Sequence, residues 1–268
     1  MISSQMQSEY LRCLKIEPQK PSMDYLRNLV KTHLERFPFE NISKIRYYLH
    51  QSYNGLAWLP ELGTFLNNFA AKGLGGNCYI LNTHFGRLLH SLGYEVDIVK
   101  ATGGNTHLAL KVTLENQSYY ADVGYGAPLF EPISLKEQPR FTREVEITKL
   151  GVRQFMIDRR MNGQSFVTKQ IEWEPVGLEH FGEAITNSLR DEDDNPFMRR
   201  IVATVFKQDT AYSVMNQKLF IKTNQGTEVH EYTHKGEWLD MMLVTLGFEP
   251  YVVEEALEFL SDRGIRFW

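Results

Sequence analysis

The sequence predicts an α+β fold, with helices in the first third of the chain, strands in the middle, and both at the end. A change in hydrophobic period along the 268 residues supports this prediction. Up to residue 92 apolar side chains recur at helical spacing, whereas from Tyr94 they alternate with polar ones, as in half-buried strands. The expected domains are a helical region over 1–90, a strand-rich region over 91–190 and an α/β region over 191–268.

The helical region is predicted to contain four helices, over residues 5–14, 22–37, 62–71 and 78–92. The second helix ends at Phe37, because Pro38 disfavours helical geometry in the residue before it. The fourth helix begins at Cys78, after a glycine pair that allows a sharp turn, and stops at Gly93. These helices place a cysteine in the first turn of an amphipathic segment.

The remaining two thirds are predicted mainly from alternation and turn residues. Asn162-Gly163 lies between two β-rich runs and is the strongest hairpin signal in the chain, so the middle region is expected to be a β-barrel or a strongly bent sheet. The acidic stretch 190–196 carries consecutive charges, which is typical of a solvated connector rather than a metal loop. Beyond it, strands are predicted over 201–206, 213–222 and 227–234, and helices over 237–246 and 252–261.

A second predicted hairpin brings two chemically active residues together. A tight turn at Glu115-Asn116 pairs Leu114 with Gln117, and the same register sets His107 opposite Gly124. His107 and Asp122 are then diagonal neighbours on one face, with about 7–8 Å between their backbones across the hairpin. A looser register would set His107 opposite Gly126 and lengthen that reach.

Composition restricts the possible partners. The formal net charge is −4 and no basic stripe is present, which argues against nucleic acid. No apolar run reaches the roughly 20 residues that cross a bilayer, and the N-terminus MISSQMQSEY lacks the features of a signal peptide. We therefore expect a cytoplasmic protein with reduced cysteines, a monomer or weak homo-oligomer, that acts on a small molecule and not on a membrane.

The leading candidate site consists of Cys78, His107 and Asp122. Most single cysteines are inert buried residues, so Cys78 needs a base and an orienting group before it is interpreted as a nucleophile. A helix N-terminus favours thiolate over thiol, His107 supplies the base, and Asp122 supplies a carboxylate that orients the imidazole. These three residue types together predict nucleophilic catalysis.

A competing signal is the pattern His230-Glu231-Tyr232-Thr233-His234, which formally matches the zinc metalloprotease motif HExxH. That motif binds zinc only on a helix, where residues four apart share a face. The surrounding TEVHEYTHK alternates like a strand, on which residues four apart are about 13 Å from each other. We expect no metal site here, and keep a metalloprotease only as a remote alternative.

Four blocks of the sequence resemble the arylamine N-acetyltransferase family. They are FPFEN at 37–41, GGNCYILN at 75–82, Thr106-His107 and ADVGYGAP at 121–128. The resemblance implies an N-terminal helical bundle, a central β-barrel and a C-terminal α/β lid, with a papain-like or transglutaminase-like cysteine catalytic core. It also implies acetyl-CoA as co-substrate without a permanently bound cofactor, an acetyl-thioester on Cys78, and transfer to an arylamine, hydrazine or hydroxylamine. A related acyltransferase or amide synthase with another acyl donor is the alternative.

The resemblance also assigns roles to individual residues. It implies that Cys78 is the nucleophile, His107 the base and then the acid, and Asp122 the orienting group. Backbone N–H groups around Cys78 would form the oxyanion hole. The residues that would contact the pantetheine arm of CoA are Gly103, Gly104 and Thr106, and those on the acceptor-pocket wall are Phe39 and Tyr125.

Two positions beside the nucleophile depart from the family pattern. Leu74 stands where the family has an arginine, and Ile80 stands where it has a glutamate. We predict that an apolar contact between Leu74 and Ile80 replaces an ion pair of the family. Such an exchange is often neutral or stabilising when both partners change together.

Overall fold

The computed structural model describes residues 2–136, 140–142, 144–161 and 164–268. The α-helices are α1 (Ser4–Leu14), α2 (Met23–Arg36), α3 (Ile42–His50), α4 (Leu62–Lys72), α5 (Cys78–Ser91), α6 (Gly182–Ser188), α7 (Lys235–Met241) and α8 (Pro250–Ser261). The strands are β1 (Phe39–Glu40), β2 (Glu95–Gly103), β3 (Asn105–Leu114), β4 (Gln117–Ala121), β5 (Ile133–Ser134), β6 (Arg140–Thr142), β7 (Val145–Lys149), β8 (Gln154–Met161), β9 (Gln164–Val176), β10 (Val202–Lys207), β11 (Thr210–Met215), β12 (Lys218–Thr223) and β13 (Gly226–Glu231). This order confirms the α+β class predicted from the hydrophobic periods.

The chain forms two compact units, each built from two segments. The first unit comprises Met1–Leu34 and Cys78–Ala184. It contains α1, α2, α5 and an antiparallel eight-stranded sheet in the order β5-β4-β3-β2-β9-β8-β7-β6. Side chains from this sheet enclose a core that includes Val99, Ala109, Tyr120 and Ile171.

The second unit comprises Glu35–Asn77 and Ile185–Trp268. Its antiparallel five-stranded sheet has the order β1-β10-β11-β12-β13. Its core includes fully buried Trp238 and Phe248. The division into regions 1–90, 91–190 and 191–268 stays a prediction about the order of elements along the chain.

The predicted helices over 5–14, 22–37, 62–71 and 78–92 correspond to α1, α2, α4 and α5, with ends that agree within two residues. The sequence reading did not identify α3, a nine-residue helix that directly follows the FPFEN block. It begins where the Ser43 N–H donates to Glu40 Oε2 at 2.8 Å. A side-chain acceptor at this point satisfies an amide that has no partner within the helix.

The single strand predicted over 213–222 is wrong. The chain turns at Asn216, whose φ of 55° is left-handed, and β11 and β12 are the two arms of a hairpin. Asparagine tolerates this conformation, so the polar Asn216-Gln217 pair was an overlooked turn signal. The Asn162-Gly163 turn lies outside the described residues, although β8 and β9 on either side of it pair antiparallel.

The acidic stretch is more ordered than a solvated connector. Asp191 accepts a hydrogen bond from Arg199 at 2.6 Å and is also paired with Arg263. The hydrogen bonds and charges of Arg263 and Arg199 outweigh burial, which alone would raise the pKa, and hold the pKa of Asp191 down at about 2. Asp191 therefore anchors the beginning of this connection within the second unit.

None of the described helices combines the length and the apolar character required to cross a membrane.

Candidate active site

Cys78 is the first residue of α5, a helix that packs within the first unit. Its apolar face buries Leu81, Phe85 and Leu88 completely. Cys78 itself is half-buried, and neither Cys78 nor Cys13 forms a disulfide. Because the first N–H groups of a helix lack partners within the helix, the nucleophile lies at the positive end of the helix dipole.

The β3–β4 hairpin positions the base and the carboxylate. Glu115 and Asn116 both adopt positive φ angles, and the ladder runs from Leu114 opposite Gln117 to Leu110 opposite Ala121. This is the tight register predicted from the sequence. It brings His107 on β3 and Asp122 just after β4 into contact, with 2.7 Å between His107 Nε2 and Asp122 Oδ2.

His107 also interacts with the nucleophile. Its Nε2 faces Asp122, which leaves Nδ1 as the ring nitrogen for its hydrogen bond with the Cys78 side chain. Burial lowers the pKa of His107, but the negative charges of Asp122 and Cys78 outweigh burial and raise that pKa to about 10. At neutral pH the imidazole is therefore protonated and lies between the Asp122 carboxylate and the Cys78 side chain.

Asp122 is 1% exposed, and all its hydrogen-bonding capacity is used. Besides His107, its carboxylate accepts hydrogen bonds from Tyr120 Oη at 2.7 Å, Asn82 Nδ2 at 2.8 Å and the Gly124 N–H at 2.9 Å. Burial alone would raise the pKa of Asp122, but the charge of His107 and these donors together lower it. Asp122 is therefore an ionised carboxylate held in one orientation.

Asn82 connects α5 to β3 and to the segment that follows β4. It lies four residues after Cys78, on the same face of α5, and its amide donates to the Leu108 carbonyl at 2.7 Å as well as to Asp122. Its Oδ1 accepts the Val123 N–H at 2.9 Å. The sequence reading gave Asn82 no role, although its spacing from Cys78 was the signal that would have found it.

Gly124 allows the segment after Asp122 to pack directly on the start of α5. A Cβ at this position would lie 2.6 Å from Cys78 Cα and 2.8 Å from Asn82 Nδ2. The first of these is a backbone atom, which cannot move aside as a flexible side chain would. Only glycine permits this approach, so Gly124 sets the distance between the nucleophile and its orienting carboxylate.

Comparison with known proteins agrees with this geometry. A sequence model of the N-acetyltransferase family matches residues 22–249. The chain belongs to the arylamine N-acetyltransferase family. The membership predicted from the four sequence blocks is confirmed.

Individual relatives are distant. The chain is 25% identical over 222 residues to an arylamine N-acetyltransferase of Gallus gallus, the pineal gland isozyme NAT-10, with 71% of this chain and 73% of that protein covered. It is 35% identical over 123 residues to proansamycin X synthase of Amycolatopsis mediterranei, a match that covers 42% of this chain and 45% of the synthase. Among solved structures, the arylamine N-acetyltransferase of Mycobacterium marinum in complex with CoA superposes with a TM-score of 0.80 at 19% identity, covering 97% of this chain and 99% of the other. That superposition establishes the shared fold.

The segment expected to contact the pantetheine arm forms the turn between β2 and β3. Gly103 pairs with Asn105, and Gly104 lies at the tip with φ of +72°. A Cβ on Gly103 would lie 2.4 Å from the Thr168 carbonyl oxygen, whereas the space around Gly104 is open. Close packing therefore requires glycine at position 103, and the positive φ angle favours glycine at position 104.

Thr106 is held to the nucleophile helix by the residue after Cys78. Tyr79 Oη donates to the Thr106 carbonyl at 2.8 Å. This bond ties the strand of His107 to the first turn of α5. Thr106 thus lies beside the triad of Cys78, His107 and Asp122, called the triad below.

The two residues predicted to line the acceptor pocket belong to different units. Tyr125, in the first unit, packs its ring edgewise against His107, with 5.3 Å between ring centroids. Phe39, in the second unit, lies on β1 with its ring edgewise against Phe197 at 6.5 Å. The structure therefore places Tyr125 directly beside His107, and the acceptor-pocket roles of Tyr125 and Phe39 stay predictions.

Leu74 and Ile80 are both buried, also in different units. Leu74 packs into the core of the second unit, and Ile80 belongs to α5 in the first. Their apolar contact stays a prediction.

The HExxH pattern lies on a strand end, as the alternation indicated. His230 is on β13, where its Nε2 is 3.0 Å from Glu228, and His234 directly precedes α7. Over the described ranges, no cluster of three or more His, Cys, Asp or Glu side chains has the arrangement that would hold a metal ion.

Proposed function

We propose that this chain is an acetyl-CoA-dependent arylamine N-acetyltransferase that works by a ping-pong mechanism through an acetyl-thioester on Cys78. The observation that carries the proposal is the triad, in which a thiol at a helix N-terminus contacts a protonated imidazole held by a buried carboxylate. Family membership supports the reaction class.

In the first half-reaction the Cys78 thiolate attacks the carbonyl carbon of acetyl-CoA. Formation of the Sγ–C bond gives a tetrahedral oxyanion. This species collapses when the bond between that carbon and the CoA sulfur breaks. The CoA thiolate leaves with the proton of the His107 imidazolium, so free CoA and a neutral imidazole remain. Backbone N–H groups in the first turn of α5 are suited to stabilise the oxyanion that forms in between.

In the second half-reaction an amine nitrogen attacks the acetyl-thioester. The N–C bond forms, the C–Sγ bond breaks, and neutral His107 takes the proton that the nitrogen loses. The products are the N-acetylated acceptor and the original thiolate–imidazolium pair. Asp122 keeps the same imidazole orientation throughout, because its oxygens remain bound to Tyr120, Asn82 and the Gly124 N–H.

The binding residues follow from the resemblance. We assign the pantetheine arm to Gly103, Gly104 and Thr106, and the acceptor to Phe39 and Tyr125. The M. marinum relative solved with CoA supports a CoA thioester as a co-substrate that binds and leaves at each turnover. The acceptor is an arylamine, hydrazine or hydroxylamine.

The direct test is incubation with acetyl-CoA followed by intact-protein and peptide mass spectrometry. One acetyl group is expected on Cys78, released on addition of an arylamine or hydrazine. Cys78→Ala should remain unmodified, and Cys13→Ala, which removes the other free thiol, should be acetylated like the parent protein. A Cys78 thiol that stays unmodified at saturating acetyl-CoA would contradict the proposal.

A second candidate is an acyltransferase or amide synthase that uses the same triad on a different acyl donor. The 35% identity with proansamycin X synthase favours it, since that match is stronger per residue than the match to the Gallus gallus isozyme. Acetyl-, propionyl- and malonyl-CoA compared at equal concentration distinguish the two. Preferential labelling of Cys78 by acetyl-CoA supports the first candidate, and preference for a longer or charged acyl group supports the second.

A further inference from the structure

Lys169 is a buried cation near the triad that the sequence reading did not notice. It lies on β9 within the first unit and is 6% exposed. Its Nζ donates to the carbonyl oxygens of Gly103 and Asn105, each at 3.0 Å, and also to Asn105 Oδ1. All three acceptors are neutral, and within the described part of the chain Lys169 forms no ion pair with a carboxylate.

The charge of the triad explains why a lysine is buried there. With Cys78 as the thiolate of the proposed mechanism, Cys78 and Asp122 are negative and His107 is positive, so the three groups together carry one net negative charge. A net charge in a buried site is costly unless another charge balances it. Burial lowers the pKa of Lys169, and the negative charges of Cys78 and Asp122 partly oppose that lowering by favouring the protonated amine.

The three hydrogen bonds of Lys169 give it a second effect. Gly103 and Asn105 flank the tip of the turn that leads into Thr106 and His107. A lysine that binds both carbonyls fixes this turn in one conformation. The same side chain thus has two effects: its charge acts on the triad, and its hydrogen bonds fix the start of the strand that contains His107.

We propose that Lys169 is a positioning residue of the active site, whose positive charge balances the net negative charge of the triad and whose hydrogen bonds hold the 103–105 turn beside His107. The proposal rests on the proposed role of Cys78 as a thiolate nucleophile. Its test needs no acyl donor, so it can fail independently of the acetyl-transfer reaction.

The test is the pH dependence of Cys78 alkylation by iodoacetamide, with each rate measured in Cys13→Ala protein to isolate one thiol. Lys169→Gln retains a hydrogen-bond donor but removes the charge, which makes the thiolate less favourable. The midpoint of the alkylation profile is expected to rise by about one pH unit, so alkylation well below the midpoint slows about tenfold. A residue that only supports the fold would lower stability without moving this midpoint.

Three variants serve as controls. Lys169→Arg keeps the charge and is expected to keep the midpoint. Asn105→Ala removes one acceptor but leaves the charge, with the same expectation. Lys111→Gln removes a lysine that is paired with Asp97 on the same sheet, and should also leave the profile unchanged. An unshifted midpoint in Lys169→Gln, or an equal shift in Asn105→Ala, would overturn the proposal.

The reciprocal experiment needs no variant that removes the charge of Lys169. In protein with ¹³Cε-labelled lysine, the Lys169 signal, assigned by its loss in Lys169→Arg, is titrated before and after Cys78→Ala. Removal of the thiolate is expected to lower the Lys169 titration midpoint by about one pH unit, because the coupling between two charges is mutual. A midpoint that is identical in both proteins would refute the balancing role.

Discussion

The two units each bury a carboxylate almost completely, and the two carboxylates have opposite ionisation behaviour. Asp122 in the first unit and Glu40 in the second are each 1% exposed. The pKa of Asp122 is lowered, whereas burial raises the pKa of Glu40 to about 7. Burial therefore does not decide the charge of a carboxylate in this protein.

The difference lies in what surrounds each group. Asp122 has an imidazolium partner and three further donors. Glu40 Oε2 accepts the Ser43 N–H at 2.8 Å, but Glu40 Oε1 has no hydrogen-bond partner among the described residues. Burial raises the pKa of Glu40, and interactions with Ser43, Ile42 and Gly75 favour the charged form without offsetting that burial. The imidazolium and the further donors keep Asp122 ionised, whereas the hydrogen bonds of Glu40 do not offset its burial and leave its pKa near neutral.

The largest expected effect comes from removing the charge of Asp122. Asp122→Asn keeps the size of the side chain, but an amide neither stabilises the imidazolium nor enforces the correct tautomer. We expect the acetyl-transfer rate to fall by about 10³–10⁴-fold, while CoA binding measured by calorimetry is retained. Near-full activity would show that the orienting residue has been misassigned.

Glu40→Gln tests the other side of the comparison. Because the folded pKa of Glu40 lies above its usual value of 4.5, the charged form destabilises the fold, and stability is lost as pH rises from 4.5 through about 7. From pH 5 to pH 8 the unfolding free energy of Glu40→Gln should rise by about 2–3 kcal/mol relative to that of the parent protein. Urea unfolding at both pH values measures this difference.

The control for this experiment is Glu61→Gln, at an exposed glutamate. It should leave the difference between the two pH values unchanged. If Glu40→Gln behaves like the control, then Glu40 is ionised across this range and the contrast with Asp122 does not hold.

A positive charge introduced at residue 74 should make Glu40 more like Asp122. Leu74 directly precedes Gly75, whose backbone contacts the Glu40 carboxyl group, so Leu74→Arg introduces a cation beside a residue that meets Glu40. In a double-mutant cycle with Glu40→Gln we expect a coupling of about 1–2 kcal/mol by denaturant unfolding. The parallel cycle of Leu74→Arg with Ile80→Glu tests the predicted contact between positions 74 and 80.

The two cycles discriminate between partners for residue 74. Coupling only with Glu40 would show that a cation at position 74 interacts with the Glu40 carboxylate. It would also reject the predicted contact between Leu74 and Ile80. Coupling only with Ile80→Glu would support the pair predicted from the sequence. Values below about 0.5 kcal/mol in both cycles would mean that residue 74 meets neither side chain.

The smallest expected effect comes from removing one donor of Asp122. Tyr120→Phe deletes the hydroxyl at 2.7 Å but leaves His107, Asn82 and the Gly124 N–H in place. We expect a loss of about 1–2 kcal/mol in unfolding free energy and less than about tenfold in the transfer rate. A loss as large as that of Asp122→Asn would mean that the carboxylate depends on Tyr120 rather than on the whole set of donors.

The sequence predicted the parts of this site that depend on local spacing. The start of α5 at Cys78, the turn at Glu115-Asn116 and the contact of His107 with Asp122 all follow from short-range patterns. A two-residue turn sets the strand register, and the register sets which side chains share a face. Local chemistry was sufficient there.

Long-range supports were not predictable in this way. Lys169 reaches the turn at Gly103 across 66 residues, and nothing in its local sequence distinguishes it from other lysines on strands. Glu40 Oε1 has no hydrogen-bond partner among the described residues, and this likewise depends on which residues meet around it in the folded second unit. Such features arise from tertiary packing, and a hydrophobic period contains no information about them.

The β3–β4 hairpin also has a consequence for how the site is assembled during folding. His107 and Asp122 are 15 residues apart and are joined by one tight turn, so the entropy lost on closing that loop is small. Cys78 joins them through α5, whereas the chain between Leu34 and Cys78 belongs to the second unit. We expect the hairpin to be structured in the folding transition state, so that Asn116→Ala slows refolding more than it accelerates unfolding in stopped-flow experiments. The base and its carboxylate would then meet before the nucleophile arrives.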